Sequence, residues 1–276
     1  MTEENWVDLH LHTSYSDGLL SPHEMVKEAK ASGLKAIGIV DHDTVEGIVP
    51  AIEAGKIEDV EIVPGVELSS QCDGRDIHII GYYFDMESPK FKKYLTLFRK
   101  ERYKRAEKMV KNLNNLGIHV SMDEVEGRAK GNCIGRPHLA EILMEKGYIE
   151  TFQEAFHKYI GYGSKAYEEK YQIIPEEAIR LISEAGGLSF LAHPSYAIHD
   201  DMIFRLIKAG LDGIEIYHPK LDQNRMHHLQ SIVREHGLLI SGGSDCHGGR
   251  SGEMCIGKYN VPYFILEEIK QRAKVE

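Results

Sequence analysis

Short runs of apolar and β-branched residues recur along the chain and predict seven β-strands. Most of these runs are continuously apolar rather than alternating, which is typical of strands that are buried on both faces of a sheet. The predicted strands cover residues 6–11, 36–40, 61–66, 76–84, 188–191, 213–217 and 238–240.

Segments with helical periodicity and clear end signals lie between the strands. The clearest begins with Ser21-Pro22 and Glu24, which combine an N-cap serine, a proline at the first helical position and the glutamate of a capping box. It ends at Gly33, and each of the other predicted helices is also followed by glycine. Alternating strands and helices predict an α/β fold, in which helices cover a parallel sheet. The other helices are predicted over residues 44–54, 175–185, 201–209 and 222–236.

The alternation stops between residues 84 and 166, where the pattern is helical. We therefore expect a main domain made of residues 1–86 and 167–276, with residues 87–166 inserted as a helical subdomain. The first helix of the insertion, residues 88–116, contains ten Lys and Arg residues but only Glu101 and Glu107, a local charge of +8. This basic helix fits either a contact with nucleic acid or a solvated surface.

The whole chain is acidic, with 33 Lys and Arg against 43 Asp and Glu residues and a net charge of −10 over 276 residues. This balance argues against a protein that coats nucleic acid or binds a membrane surface by charge. No apolar stretch approaches the roughly 20 residues of a membrane helix, and the first residues show no export signal. We therefore expect a cytoplasmic protein with no membrane contact. The four cysteines form no CxxC pair and are expected to be free thiols.

The chain contains 15 histidines, and imidazole is a common metal ligand. Several histidines and carboxylates lie at or near the ends of the predicted strands. In parallel α/β barrels the site is built at the carboxyl ends of the strands, so these residues are expected to meet at the top of one barrel. The candidate metal ligands are His10, His12, Asp17, His42, Glu67, His78, His193, Asp245 and His247.

The segment DLHLH shows the spacing most clearly. A strand alternates its faces, so His10 and His12 share one face about 7 Å apart. Asp17 follows in the next loop, and His42 repeats the pattern of an apolar strand that ends in an acid and a histidine. Burying so many ionisable groups without a cation would be costly, which favours metal binding. Nine donors suit three divalent ions, and the mixture of imidazole and carboxylate favours zinc, manganese or iron.

Three residues next to these candidate ligands could either contribute to the metal site or serve only the fold. Cys246 lies between two candidate ligands but, because a strand alternates its faces, is expected to pack beneath the site. Asp8 and Asp41 come just before strand-end histidines. They are either carboxylates that orient the imidazoles or strand-end caps.

Five ordered motifs resemble those of the polymerase and histidinol phosphatase (PHP) superfamily of phosphoesterases. They are DLHLHTSYSDG at residues 8–18, GIVDHDT at 38–44, PGVELS at 64–69, AHP at 192–194 and GSDCH at 243–247. The resemblance covers the chain outside the insertion. It implies a distorted seven-stranded (β/α) barrel with a centre of three Mn, Fe or Zn ions that hydrolyses phosphate esters.

The resemblance also implies how the ligands divide among the ions. It assigns one ion to His10, His12, Glu67 and Asp245. It assigns a second ion, shared through Glu67, to His78 and His193. It assigns the third ion to Asp17, His42 and His247.

The insertion and the segment IGRPHLA at residues 134–140 resemble stand-alone members of the family that act on nucleotides. Those members remove the 3′ phosphate from nucleoside 3′,5′-bisphosphates or trim short oligonucleotides, so we expect a small phosphorylated substrate, a nucleotide or short RNA or DNA. Attack is expected from a hydroxide that bridges two of the ions. Arg136 and His138 are expected to bind phosphate, although Arg136 also fits a surface position at a helix start. His218 fits a phosphate contact, the acid for the leaving alcohol or a structural interior histidine.

Three other functions fit parts of the pattern. An amidohydrolase barrel also begins with HxH, but such sites typically use a modified lysine on the fourth strand, where this chain has His78. A histidinol-phosphate phosphatase would use the same barrel, and the helical insertion with Arg136 argues against it. A non-catalytic regulatory metal module is disfavoured because the ligand set is complete.

Overall fold

The computed structural model describes residues 5–129, 133–250, 254–259 and 261–275. Within these residues the chain forms one eight-stranded sheet surrounded by α-helices. The strands are β1 (Trp6–Leu11), β2 (Leu34–Ile39), β3 (Glu61–Cys72), β4 (Arg75–Tyr82), β5 (Leu188–Leu191), β6 (Gly213–Tyr217), β7 (Leu239–Gly242) and β8 (Val261–Pro262).

The strands follow the order β7-β6-β5-β4-β3-β2-β1-β8 across the sheet. β1, β2 and β3 run parallel to one another, and so do β5, β6 and β7. The backbone N–H of His12 donates to the carbonyl oxygen of Cys246 at 3.0 Å, so the chain after β7 returns to β1 and nearly closes the sheet. The predicted α/β barrel is confirmed, with eight strands rather than seven because the short β8 pairs with β1.

The direction of β4 differs from the prediction of a wholly parallel sheet, because β4 is antiparallel to both β3 and β5. Asp73 and Gly74 form the two-residue turn between β3 and β4 with φ values of 51° and 74°. An Asp-Gly pair favours such a hairpin, since both turn residues need positive φ. His78 therefore lies near the start of β4, opposite Ser69 of β3, at the same edge as the carboxyl ends of the parallel strands.

The capping box predicted at Ser21 is present. The Ser21 hydroxyl accepts a hydrogen bond from the backbone N–H of Glu24 at 3.3 Å, and the Glu24 carboxylate accepts one from the N–H of Ser21 at 2.8 Å. The helices are α1 (Pro22–Ala31), α2 (Ile48–Glu58), α3 (Pro89–Asn115), α4 (Met122–Arg128), α5 (Arg136–Glu145), α6 (Phe152–Ala155), α7 (Pro175–Glu184), α8 (Asp200–Lys208), α9 (Gln223–His236) and α10 (Tyr263–Ala273), with a π-helical turn (Phe156–Ile160) after α6.

The helix predicted over residues 44–54 lies further along the chain than expected, as α2. Gly55 does not end the helix but lies inside it, where a Cβ atom would come within 2.5 Å of the Val60 carbonyl oxygen. Glycine at this position therefore permits close packing against the chain that enters β3. The helix ends at Asp59, whose φ of 55° is left-handed.

The cap, defined as residues 87–166, contains α3 to α6 and, in its described part, no strand. Its apolar side chains form a cluster of their own, which includes Leu113 and Leu143. The first half of α3 packs elsewhere, since Phe91 and Phe98 belong to the core between the sheet and its helices. The separate cluster supports a helical subdomain, whose boundaries stay a prediction.

Most basic residues of α3 lie near carboxylates. Exposed ion pairs of this kind contribute little to stability. Because carboxylates already lie beside these cations, the pairs favour a solvated helix surface over a contact with nucleic acid. Arg102 is the exception, because its partner Asp43 is fully buried. The pairs are Lys90–Glu184, Lys92–Glu87, Arg99–Glu46, Arg102–Asp43, Lys104–Glu101 and Lys108–Glu168.

Apolar side chains fill the barrel below the end that carries the histidines. On β4, His78, Ile80 and Tyr82 share one face, and the last two are fully buried. The Tyr82 ring lies 5.1 Å from the ring of Phe190 on β5. The four cysteines are free thiols, and Cys246 is buried as predicted. None of the helices in the described ranges is both long and apolar enough to span a membrane.

Candidate metal centre

Glu67 lies at the centre of the site and is fully buried. Its Oε1 lies 2.9 Å from His78 Nδ1 and 3.1 Å from His193 Nε2, and its Oε2 lies 3.0 Å from His42 Nδ1. These histidines come from β4 and from the loops that follow β5 and β2. One carboxylate thus faces three elements of the barrel, with a different set of imidazoles at each oxygen.

His10 lies on β1 and His12 directly follows the strand, and both side chains point to the same side, as the strand period predicts. Their Nε2 atoms lie 3.1 Å apart. Asp245 Oδ1 lies 3.5 Å from His10 Nε2 and 3.3 Å from His12 Nε2, and Glu67 Oε2 is at 3.5 and 3.4 Å from the same nitrogens. His10 and His12 therefore lie between two carboxylates.

Asp17, His42 and His247 lie on the other side of His12. His247 Nε2 is 3.3 Å from Asp17 Oδ1. The His12 ring lies 4.2 Å from the His247 ring and 4.5 Å from the His42 ring. His12 therefore contacts the residues that the family resemblance assigns to the first ion and also those that it assigns to the third ion.

Two candidate ligands occupy left-handed backbone conformations. His193 has a φ of 32° and Asp245 a φ of 54°. Residues other than glycine adopt such values at a cost, and they cluster at functional sites where the surrounding structure enforces them. His193 lies two residues after β5 and Asp245 three residues after β7, and the turns direct their side chains toward Glu67 and His12.

The crowded charges move pKa values in opposite directions. Burial opposes ionisation of Glu67, yet the surrounding histidines, His78 foremost, hold the pKa of this carboxyl well below its usual range. For His12, burial together with His247 and His42 lowers the pKa to about 3. The centre therefore combines an ionised carboxylate with a neutral imidazole, which are the forms that bind metals.

Several buried polar atoms of the site make no hydrogen bond of acceptable geometry to the described residues, even where an oppositely charged group is near, and such atoms are destabilising unless something else satisfies them. Divalent cations coordinate these donor types, so the donors fit metal ions. The unpartnered atoms are His12 Nδ1, Asp17 Oδ1, His42 Nδ1, Glu67 Oε2 and His218 Nε2. Ligand atoms within 4.8 Å of one another belong to His12, Asp17, His42 and His247; to His10, His12 and Glu67; to His42, Glu67 and His78; and to His10, Glu215 and His218.

Glu215 is a fully buried member of the site that the sequence interpretation missed. It lies on β6, where Oε1 is 2.9 Å from His10 Nδ1 and Oε2 accepts the backbone N–H of His193 at 2.7 Å. A carboxylate on the outer nitrogen of a ligand histidine fixes its tautomer and ring orientation. The sequence did carry one sign of this role, because Glu215 is the single acidic residue inside the apolar segment IEI of the strand.

Asp8 and Asp41 accept hydrogen bonds mainly from backbone and hydroxyl groups. Asp8 Oδ1 accepts from the N–H of Ser244 at 2.9 Å, and burial raises the pKa of Asp8 to about 6. Asp41 accepts from the N–H of Thr13 at 2.7 Å and from the Ser16 hydroxyl at 2.6 Å. These contacts favour the capping interpretation, in which Asp41 holds the loop that carries Asp17.

A cleft of about 780 Å³ opens from the site toward the cap. Lys220 and Arg250 also line it, and neither was singled out from the sequence. Lys220 Nζ lies 2.8 Å from Asp245 Oδ2. Arg250 donates to the Asp17 carbonyl oxygen at 2.7 Å and pairs with Glu141 of the cap. The lining residues include Asp17, Leu19, Pro137, Glu141, Met144, Phe152, Lys220, Asp245, His247 and Arg250.

Arg136 and His138 contact different surroundings, because residues two apart on a helix do not face each other. His138 is buried, and its Nδ1 accepts the N–H of Gly135 at 3.0 Å. The Arg136 guanidinium carbon lies 5.5 and 5.8 Å from the ring centres of Phe156 and Tyr167. The two residues therefore do not form one phosphate clamp in this structure.

Comparison with known proteins identifies the family to which the chain belongs. The PHP domain model matches residues 8–206. A 5′-3′ exoribonuclease of Haemophilus influenzae is 36% identical over 246 residues, which cover 87% of this chain and 89% of that protein. A 3′,5′-nucleoside bisphosphate phosphatase of Chromobacterium violaceum is 31% identical over 257 residues, which cover 91% of this chain and 90% of that protein.

A solved structure extends the similarity to three dimensions. A protein from Bifidobacterium adolescentis, described as a metal-dependent phosphoesterase, matches with a TM-score of 0.91 at 29% identity, over 97% of this chain and 96% of that chain. The fold and the histidine- and carboxylate-lined barrel end agree with these matches. The chain belongs to the PHP domain family and is a metal-dependent hydrolase of phosphoric ester bonds.

Proposed function

We propose that this enzyme hydrolyses a phosphate ester of a nucleotide, either the 3′ phosphate of a nucleoside 3′,5′-bisphosphate or a phosphodiester of short RNA or DNA. The observation that carries the proposal is the cleft between barrel and cap, in which candidate metal ligands adjoin Lys220 and Arg250. Its volume of about 780 Å³ lies in the range of small-molecule sites. The names of the two bacterial relatives, an exoribonuclease and a nucleoside bisphosphate phosphatase, support the same choice.

We propose three divalent ions, Mn, Fe or Zn, held by the nine predicted ligands. The contacts of Glu67 support a bridging role between the first two ions, because Oε1 faces His78 and His193 whereas Oε2 lies 3.5 and 3.4 Å from the Nε2 atoms of His10 and His12. When bound, the ions lower the pKa of coordinated water and neutralise phosphate oxygens.

Lys220 supplies a positive charge beside the metal ligands. Its ammonium is 2.8 Å from Asp245 Oδ2, and its side chain is 55% exposed to the cleft and solvent. A phosphate oxygen next to Asp245 would meet this donor in a charge-assisted hydrogen bond. Lys220 therefore orients the reacting phosphate.

His218 is the candidate acid for the leaving alcohol. Its Nδ1 accepts the backbone N–H of Lys220 at 3.1 Å, which leaves the proton of the neutral ring on Nε2. Nε2 lies 3.4 Å from Asp245 Oδ2 and has no hydrogen-bond partner among the described residues. The nitrogen that carries the proton thus faces the site, as proton donation requires.

A substrate panel tests the proposal. Mn-loaded protein is assayed with adenosine 3′,5′-bisphosphate, short RNA, 5′-AMP and histidinol phosphate, and we expect the bisphosphate or the RNA to give the highest kcat/KM. Lys220→Met should lower that value roughly 10- to 100-fold, the range for a charged hydrogen bond. Lys208→Met, which removes the same charge from the exposed end of α8, is the matched control. A preference for histidinol phosphate would contradict the nucleotide assignment while leaving the phosphoesterase intact.

A further inference from the structure

Two of the four cysteines lie against each other beside the candidate metal centre. Cys246 is fully buried and stands in the sequence between the candidate ligands Asp245 and His247. Cys255 is partly exposed and lines the cleft that opens from the site. The two cysteines are nine positions apart in the chain, yet their thiols share a hydrogen bond. One accessible thiol is therefore backed by one buried thiol.

The segments that carry these two cysteines lie side by side. Cys255 Sγ lies 3.9 Å from the carbonyl oxygen of Ser244, and Cys246 Sγ lies 3.8 Å from Met254 Sδ. Each sulfur thus contacts a residue within two positions of the other cysteine. Both cysteines are free thiols in this structure. Because their sulfurs already meet, a disulfide between them requires only a local shift of the two segments.

The backbone of Cys246 helps to hold the candidate metal ligands in place. Its carbonyl oxygen accepts the backbone N–H of His12 at 3.0 Å. Of its neighbours in the chain, Asp245 places Oδ1 3.3 Å from His12 Nε2, and the ring of His247 lies 4.2 Å from the His12 ring. A covalent bond between the sulfurs is shorter than their present contact, so its formation draws Cys246 toward Cys255. That displacement acts on three candidate ligands.

We propose that Cys246 and Cys255 form a reversible disulfide when the protein meets hydrogen peroxide, and that this disulfide disables the metal centre. The inference goes beyond the nucleotide assignment, because it concerns the metal centre whichever phosphate ester is cleaved. Oxidation-sensitive cysteines are typically accessible thiols with a second cysteine next to them. Cys255 has both properties, since it faces the cleft and contacts Cys246.

The reaction takes place in two steps. Peroxide reaches Cys255 first, through the cleft; the sulfur attacks one oxygen, the O–O bond breaks, a sulfenic acid forms, and the other oxygen leaves as water with the thiol proton. The Cys246 sulfur then attacks the Cys255 sulfur, the S–O bond breaks, and the hydroxyl group leaves as a second water with the proton of Cys246. The two thiols together lose two electrons, and one peroxide is reduced to two waters.

The test treats Mn-loaded protein with hydrogen peroxide, removes the oxidant and measures hydrolysis of an aryl phosphate. Wild type should lose activity roughly 10- to 100-fold, the range for disturbed support of metal ligands. A phosphine reductant should restore the activity. Peptide mass spectrometry should show Cys246 and Cys255 in one cross-linked species, lighter by two hydrogen atoms than the two reduced peptides.

Cys255→Ser removes the thiol that reacts first, so after peroxide it should retain the activity that it had before treatment. Cys72→Ser is the matched control, because Cys72 lies at the end of β3, where its sulfur is 2.9 Å from a guanidinium nitrogen of Arg205. This variant should form the cross-link and lose activity as wild type does. Each activity is compared with that of the same variant before treatment.

An equal loss of activity in wild type and Cys255→Ser overturns the proposal, since the loss then comes from oxidation elsewhere. Absence of the cross-linked peptide, a cross-link with unchanged activity, or a loss that the reductant does not reverse also overturns it. If wild type hydrolyses no aryl phosphate, calorimetric titration with Mn²⁺ before and after oxidation replaces the assay. A loss of affinity of roughly 10-fold or more then supports the proposal, and equal affinity overturns it.

Discussion

Replacing Glu215 by glutamine changes one oxygen to an amide group where two candidate metal ligands are held. The carboxylate accepts from His10 Nδ1 at 2.9 Å and from the His193 N–H at 2.7 Å. Glutamine keeps one acceptor and turns an N–H group toward the other donor. A buried donor left unpaired costs about 1–3 kcal/mol.

The same change should weaken metal binding. Removal of a carboxylate behind a ligand histidine typically lowers metal affinity 10- to 100-fold, or about 1.4–2.8 kcal/mol. Calorimetric titration with Mn²⁺ or Zn²⁺ measures the affinity, and thermal unfolding of the metal-free protein measures the stability. At about 2–4 °C per kcal/mol, we expect the midpoint to fall by roughly 2–12 °C.

Glu235→Gln is the matched control for Glu215, since it makes the same chemical change at an exposed position on α9. Wild-type metal affinity and wild-type unfolding temperature in Glu215→Gln would refute the reasoning. They would show that neither His10 nor His193 depends on this carboxylate for its orientation.

Three further predictions follow from the site and the fold. Ser21→Ala removes the N-cap acceptor of α1 and should cost about 1 kcal/mol in chemical unfolding, whereas Ser231→Ala on the exposed face of α9 should cost much less. His10→Ala and Asp245→Ala should each abolish hydrolysis of an aryl phosphate with far-ultraviolet circular dichroism unchanged; full activity in both would exclude these ligands. Chelator treatment should abolish activity and lower the unfolding temperature, both restored by Mn²⁺, because ions bound only to the folded state stabilise it. Thermal unfolding that is insensitive to chelator would contradict a metal centre of this size.

The strand positions could be predicted because continuous apolar runs mark buried strands, and the capping box at Ser21 because its residue types act locally. The direction of β4 was not predicted from these runs, since an apolar run carries no direction. The Asp73-Gly74 pair held that information as a hairpin signal. Gly55 resembled a helix end but serves close packing, which depends on a neighbouring strand that sequence periodicity does not reveal.

The candidate ligands were visible because histidine after an apolar strand is chemically distinctive. Glu215 was not, since an inward-facing acid in a short strand becomes meaningful only when the fold brings it to His10, 205 residues away. The hydrogen bond from Arg105 to the Glu168 carbonyl oxygen likewise depends on tertiary structure, because the two residues are 63 positions apart in sequence.

The reversed direction of β4 also sets the geometry of α3. Because β4 ends at the barrel edge opposite the metal ligands, the chain must travel back along the barrel before the cap can cover the site. The 27 residues of α3 span about 40 Å at 1.5 Å per residue. Phe91 and Phe98 fix the first half to the barrel, whereas Leu113 belongs to the cap. The length of the helix therefore fixes how the cap is oriented on the barrel. Deleting one residue between Phe98 and Arg102 would turn the following part of α3 by about 100° and carry Arg102 away from Asp43.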